Sequence, residues 1–307
     1  ENKADIIELL KVRNIDVTAQ IEKIITVDEE WRSKKQKQDS LLAEANALAK
    51  QIGKLFHEKK LEEAEAAKKR GGELRDEEKV LGETVNQLAD ELQQLLYEIP
   101  NVPHPSVPSG NSDEDNVMIS ESGEIPTVGA DWLPHWELAK KYELIDFELG
   151  AKVTGAGFPF YTGKGARLQR ALINFFLDEA RDAGYKEIIP PFVVNEASGY
   201  GTGQLPDKEG QMYHDATDNL FLIPTAEVPL TNMYRNVMLA ESDLPLKVTG
   251  YTPCFRREAG AYGSDVRGLN RLHQFDKVEI VHVEHPDQSY AVLDQMVTYI
   301  QGLLTKL

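Results

Sequence analysis

Cysteine is almost absent: Cys254 is the only one in 307 residues. A lone cysteine excludes an internal disulfide and any multi-cysteine zinc site. It fits a reducing, cytoplasmic home. No His stands beside it in a recognisable nucleophile motif. Long apolar runs are missing too, and none approaches the ~18 residues that a membrane span needs. The opening Glu1-Asn2-Lys3-Ala4-Asp5 has neither the basic stretch nor the apolar core of a secretory leader. It also lacks a starting Met, so the natural N-terminus is expected to lie further upstream. There is no Gly-x-Gly-x-x-Gly and no P-loop, which removes the common nucleotide signatures. Positive charge is in deficit, with 34 Lys and Arg against 51 Asp and Glu, a net −17. A uniformly acidic surface repels nucleic acid and argues against generic DNA binding, though not against a local basic patch.

Proline is missing from 27 to 99, as long helices require. Within that stretch Val27, Trp31, Lys34, Gln38, Leu41, Ala45, Leu48, Ile52 and Leu55 recur at alternating spacings of four and three. That is one seam of a coiled coil. Leu74, Leu81, Val85, Leu88, Leu92, Leu95 and Ile99 form a second, which Ala64 and Ala67 extend backwards. Lys34 and Gln38 weaken the first seam, while Gly71 and Glu78 interrupt the other. Asp28, Glu29 and Glu30 sit where a helix start favours anions. The pattern predicts an antiparallel hairpin over 27–99. Gly71-Gly72 is the loudest turn signal, but a reversal there pairs limbs of unequal length. The turn is therefore expected near 57–61, with limbs on the order of 50 Å.

Charge is split between the limbs. Residues 32–60 carry eight basic and three acidic side chains, a net +5, whereas 61–99 carry five and eleven, a net −6. Pairing between limbs accounts for this equally well as a basic flank offered to phosphates. A projecting arm of this length suggests a large partner.

Four prolines between 100 and 108 stop the second helix and predict a semi-rigid linker over 100–111. Beyond it, 112–307 mixes helix and strand. Helices are expected at 134–142, 166–183 and 286–304. A short strand is expected at 187–189, with others at 220–223, 246–258 and 272–283. Two long neighbouring strands around a Gly-rich connection indicate an antiparallel sheet, so the class is α+β with an N-terminal helical arm.

Alternate strand residues share a face, which groups Arg256 with Glu258 and Phe275 with Lys277 and Glu279. Val278 and Ile280 then point to a core. An aromatic plate and a carboxylate four residues apart lie ~13 Å from one another, about the reach of an adenylate. Arg256 adds a fork for phosphate or carboxylate. An exposed face with surface ion pairs is the plainer alternative. For Pro224-Thr225-Ala226-Glu227 the plainer alternative is a helix cap, with Thr followed by an early Glu.

These segments carry a resemblance. Phe255-Arg256-Arg257-Glu258, the loop 259–270 and Arg271-Leu272-His273-Gln274-Phe275-Asp276-Lys277-Val278-Glu279 resemble motif 2 of the class II aminoacyl-tRNA synthetases. Ile223-Pro224-Thr225-Ala226-Glu227-Val228-Pro229-Leu230 resembles the Thr-x-Glu loop of the bacterial-type seryl-tRNA synthetases, and Tyr200-Gly201-Thr202-Gly203-Gln204-Leu205-Pro206 is also typical of them. The helix from Ala166 and the strand ending at Pro191 resemble motif 1, the dimer-forming element. The hairpin resembles the family's tRNA-binding arm.

The resemblance implies an arm over 1–99, a linker over 100–111 and a catalytic domain over 112–307. It implies serine activation by ATP and Mg2+, then transfer to the 3′ end of tRNA(Ser), and of tRNA(Sec) as well. It implies a cytoplasmic homodimer with no membrane association. Arg256 would hold the α-phosphate as the catalytic residue. Arg257, Glu258, Arg271, Leu272 and Phe275 would complete the ATP site. Thr225, Ala226, Glu227 and Glu279 would bind serine. Lys50, Lys54 and Lys59 would meet tRNA, and the loop 259–270 its acceptor end. The family's motif 3, with its ATP-binding Arg and its usual magnesium ligand, has no counterpart before Leu307, so no metal ligand is assigned and weakened ATP binding is expected. The alternatives are a synthetase-like RNA-binding paralogue without aminoacylation, which would be expected to lose some of these side chains, and a purely structural coiled coil, which has no use for 112–307.

Overall fold

A computed structural model describes residues 2–129, 131–258 and 267–307. It divides into two compact units, Glu1–Ile125 and Pro126–Leu307.

The first unit is built on two long helices, α2 (Thr18–His57) and α3 (Leu61–Tyr97), preceded by α1 (Lys3–Leu10). The 40 residues of α2 make it about 60 Å long. It starts nine residues ahead of Val27 because Leu10, Val17 and Ile21 form a small core with Ile6, Ile7, Ile25 and Ile99 at the hairpin's base. Along the seam Val27, Ala45 and Leu55 of α2 and Ala64, Leu74, Val85 and Leu95 of α3 are buried. Two of its polar interruptions answer each other, since Gln38 Nε2 donates to Glu78 Oε1 at 2.7 Å.

The chain reverses at Glu58, Lys59 and Lys60. Lys59 takes a left-handed φ of 59°, and the Lys60 N–H reaches back to Leu55 O at 3.0 Å. This is a Schellman-type stop with lysine where glycine is usual. Gly71 and Gly72 lie inside α3, and a Cβ added to Gly71 would meet Leu48 Cδ2 at an ordinary 3.7 Å. Ion pairs across the limbs join Lys23 to Glu91 and Arg70 to Glu44. The second runs against the charge split, its base coming from the acidic limb. The proline-rich stretch is tied down near α1, where Asn14 Nδ2 donates to Gly110 O at 2.8 Å and Asn111 Oδ1 at 2.9 Å.

The second unit centres on the antiparallel pair β7 (Leu246–Phe255) and β8 (Gln274–Val283). Short β3 (Lys186–Glu187) joins β7 in parallel, so this sheet is mixed, in the order β3-β7-β8. Another sheet orders β4 (Val193–Asn195), β6 (Leu220–Leu222) and β5 (His214–Asp215) antiparallel as β4-β6-β5. A third pairs β1 (Ile145–Asp146) with β2 (Phe160–Tyr161). The helices are α4 (His135–Lys141), α5 (Phe147–Val153), α6 (Gly163–Asp182), α7 (Glu196–Gly201), α8 (Glu227–Asn232) and α9 (Ser289–Thr305).

Strand alternation gives β7 and β8 two distinct faces. On one, Tyr251 Oη and α6's Gln169 Nε2 donate to the two oxygens of Asp276 at 2.7 and 2.8 Å. On the other, Ala226 and Leu230 pack on Val248, Ile188 and Val281. Gly250 permits that approach, because a Cβ there would lie 2.9 Å from Ile188 O and 3.3 Å from Leu230. Below α7, Val194, Leu205, Met212, Phe221, Ile223 and Val228 form a separate core.

The long strands are shorter than the sequence pattern predicts. β7 stops at Phe255 instead of 258, and β8 starts at Gln274 instead of 272. Arg256 N–H still donates to His273 O at 3.0 Å, but Arg257 N–H turns away to Gln211 O at 2.8 Å. Glu258 then adopts a left-handed φ of 50°. No described helix is long and apolar enough to cross a membrane.

Candidate active site

The face of β8 that carries Phe275, Lys277 and Glu279 lies over Cys254, Thr252 and Gly250 of β7, their register partners. Cys254 and Thr252 are fully buried and form the floor. Burial pushes the Cys254 thiol pKa up despite the cations nearby, which suits packing better than nucleophilic work.

Arg256 follows the same face just past β7. Its guanidinium lies over the Phe275 ring, 5.2 Å from the centroid, and its Nε donates to Pro224 O at 3.4 Å. That carbonyl begins the Thr225-Ala226-Glu227 loop. Thr225 Oγ1 donates to Glu279 Oε2 at 2.8 Å and accepts from the Glu227 N–H at 3.1 Å. One hydroxyl thus serves the start of α8 and reaches the Glu279 carboxylate. Ala226 is buried in the core beneath, whereas Glu227 is exposed.

Glu258 is not aligned with Arg256 by strand alternation, because the strand has already ended. Its carboxylate is instead 3.5 Å from Arg271 Nη1. Leu272 is buried. Arg257 points elsewhere, over the Tyr213 ring at 5.8 Å. The structure therefore gathers Arg256, Phe275, Thr225 and Glu279 around one floor and sets Glu258 with Arg271 beside its end. Residues 259–266 of the loop expected near the acceptor end lie outside the described residues.

Sequence reasoning missed two supports. His273 Nδ1 sits 3.0 Å from Arg256 O and 2.9 Å from Tyr213 Oη, with its ring stacked on Phe158. Since a carbonyl only accepts, Nδ1 must carry the proton. His273 stands within the quoted motif and invited attention; Tyr213 and Phe158 are distant in sequence and gave no signal. The other missed support is Lys277, whose Nζ lies 2.6 Å from Glu279 Oε2.

In the first unit, Lys50, Lys54 and Lys59 are exposed. They make no ion pair among the described residues, unlike Arg32, Lys35 and Lys60, which are held by Asp28, Asp39 and Glu58. Among the described residues no cluster of three or more His, Cys, Asp or Glu side chains could hold a metal ion.

Both ends of the chain match known protein families. Residues 1–103 match the seryl-tRNA synthetase N-terminal domain, and 211–307 match the tRNA synthetase class II core domain (G, H, P, S and T). A serine–tRNA ligase of Salinibacter ruber is 48% identical over 300 residues, covering 98% of this chain and 70% of that protein. One from Geobacter sulfurreducens is 43% identical over 308 residues, covering 100% and 72%. Among solved structures, the chain is similar to seryl-tRNA synthetase from Pyrococcus horikoshii complexed with ATP. The TM-score is 0.78 at 32% identity, with coverage of 100% and 73%. The cytoplasmic serine–tRNA ligase of Naegleria fowleri in complex with AMP gives 0.77 at 26% identity, covering 98% and 72%.

Proposed function

The chain belongs to the seryl-tRNA synthetases, class II enzymes that ligate serine to tRNA, and from that membership we propose that the β7–β8 face carries the activation step. There L-serine and ATP form seryl-adenylate and pyrophosphate, and serine then passes to the 3′-terminal hydroxyl of tRNA(Ser) and tRNA(Sec), releasing AMP. The single observation that carries this reading is the Thr225–Glu279 hydrogen bond on the same face as Arg256 and Phe275.

Adenine stacks on Phe275, and Arg256 leaves that ring for the α-phosphate. A partly exposed cation–π contact is worth only about 0.5–1 kcal/mol, so the exchange costs little. At the phosphate, Arg256 stabilises charge that builds as the serine carboxylate attacks. Glu258 receives the adenine amino group, while Arg271 and the backbone at Leu272 line the rest of the nucleotide site; Arg257, turned to Tyr213, takes no part in it. Thr225, Ala226 and Glu227 present the loop that binds the serine ammonium. Glu279 accepts from the serine hydroxyl. Positioning and charge account for the step without a protein nucleophile. An acceptor left unpaired rejects alanine; excluding threonine relies on a weaker steric limit.

The arm, 1–99, holds tRNA through Lys50, Lys54 and Lys59, the linker 100–111 follows it, and 112–307 is catalytic. The motif 1 region, α6 through Pro191, forms a homodimer. The enzyme works in the cytoplasm, with Mg2+ accompanying ATP.

The test is serine-dependent exchange of pyrophosphate into ATP. Serine, but not alanine, should drive label into ATP, and Arg256→Ala should cut the rate at least ~100-fold, the order expected for losing a group that stabilises transition-state charge. Exchange equal with and without serine, in folded protein, would remove the reading.

A further inference from the structure

We propose that Lys277 is a positioning residue that makes the site selective for a hydroxyl-bearing amino acid, by occupying one oxygen of Glu279 and leaving the other for substrate. This rests on the reading that Glu279 accepts from the serine hydroxyl.

Glu279 Oε2 has two neighbours, Lys277 Nζ at 2.6 Å and Thr225 Oγ1 at 2.8 Å. The direction of the second bond is set. Thr225 Oγ1 already accepts from the Glu227 N–H, and an ionised carboxylate cannot donate, so the threonine proton goes to Glu279. Two donors use both lone pairs of Oε2. Among the described residues no donor meets Oε1, and the Glu279 side chain is about a fifth exposed, at 21%.

The lysine is held to this task by the sheet. Lys277 and Glu279 are two residues apart on one strand face, and their register partners are Thr252 and Gly250. Thr252 is fully buried and Gly250 has no side chain, so neither offers the ammonium a counter-charge. Thr225 is fixed by the start of α8, which sits tightly over Gly250. The carboxylate is thus gripped from strand and loop together, with one acceptor oxygen open.

A fixed open acceptor distinguishes serine from alanine, since alanine leaves it unpaired. Without Lys277, Oε2 regains a lone pair and the carboxylate can rotate about its last torsion. Serine then loses a preset partner, and alanine meets an acceptor that turns to water. ATP is assigned to Arg256 and Phe275, which share this face; Arg256 Nε donates to Pro224 O and its guanidinium lies over Phe275, not on Glu279.

The test compares Lys277→Met, Lys277→Gln and Lys277→Arg with the unaltered chain in pyrophosphate exchange, using L-serine and L-alanine, with thermal melting as the fold check. A charge-assisted hydrogen bond corresponds to about 10–100-fold. Met and Gln should raise KM for serine by that factor, shift KM for ATP less than about twofold, and narrow the serine-to-alanine ratio of kcat/KM. Arg, which keeps the charge, should restore most of the selectivity. Serine KM unmoved in a folded Met or Gln variant overturns the proposal. So does a parallel rise in both KM values, which marks a general structural effect. Glu279→Ala separates the two layers. If it leaves serine KM unchanged, the assignment of the serine site itself fails. If it destroys serine binding while Lys277→Met does not, only the role of Lys277 fails.

Discussion

The arm and the β7–β8 face are stabilised in opposite ways. In the arm each buried residue meets neighbours that the heptad already specifies, and the same packing repeats along a line. On the sheet face, Thr225, Arg256, Phe275 and Glu279 come from segments up to 54 residues apart and meet at one small floor. A repeated seam tolerates local faults: the Gln38–Glu78 hydrogen bond and four helical glycines, Gly53, Gly71, Gly72 and Gly82, leave the hairpin intact. The face has no such redundancy. Each of its interactions is made once, so a single change there removes a function instead of a fraction of stability.

The largest test of this contrast removes the arm. Deleting 32–94, which spares the base of the hairpin, should leave serine-dependent exchange largely intact and abolish tRNA charging. Charging that survives would show that the arm is not the tRNA reader. A smaller effect is expected from Lys50→Glu, Lys54→Glu and Lys59→Glu together. Tight binding to tRNA should weaken, and the slope of log K against log salt should flatten by about one unit for each phosphate that a lysine no longer neutralises. An unchanged slope would show that these lysines do not face phosphates.

A smaller effect again is expected at the far end of the sheet. Burial, aided by Lys247 and opposed by Glu284, holds the His282 imidazole below its ordinary value of 6.5. The unfolded chain takes up that proton first as pH falls, so stability is lost below about pH 6.5. Urea midpoints should fall between pH 7 and 5.5, and His282→Leu should flatten that fall. An equal slope in both proteins would remove His282 as a cause.

The smallest effect belongs to the arm. Gly71→Ala has room beside Leu48, and Gly72→Ala meets nothing within 4 Å. Each should stabilise the hairpin by about 0.5–1 kcal/mol, the helix propensity difference. A lower melting point would mean that the glycines relieve crowding between the limbs.

Much of the molecule was legible in sequence, but unevenly. The helices and the two long strands follow from periodicity, which is a local property. The ends of the strands do not. Nothing local marks Phe255 as the last residue of β7. Its successors leave because Arg257 finds Gln211 and Glu258 turns left-handed. Strand alternation therefore does not place Glu258 beside Arg256, although the motif holding both was recognisable. Thr225 carries the start of α8 and a bond to Glu279 on one oxygen, and the second of these depends on a segment 54 residues away.

Residue type and spacing alone specify a heptad hairpin without proline, an α+β region after it, and a set of motifs that belong to one family. Those properties are carried by neighbours along the chain. It took the folded chain to show that Lys277 grips Glu279, that His273 holds Arg256 through its carbonyl, and that Arg256 rests on Phe275. Such interactions depend on strand register and on how closely α8 can approach Gly250. Register is a pairing between distant segments, and no local pattern contains it.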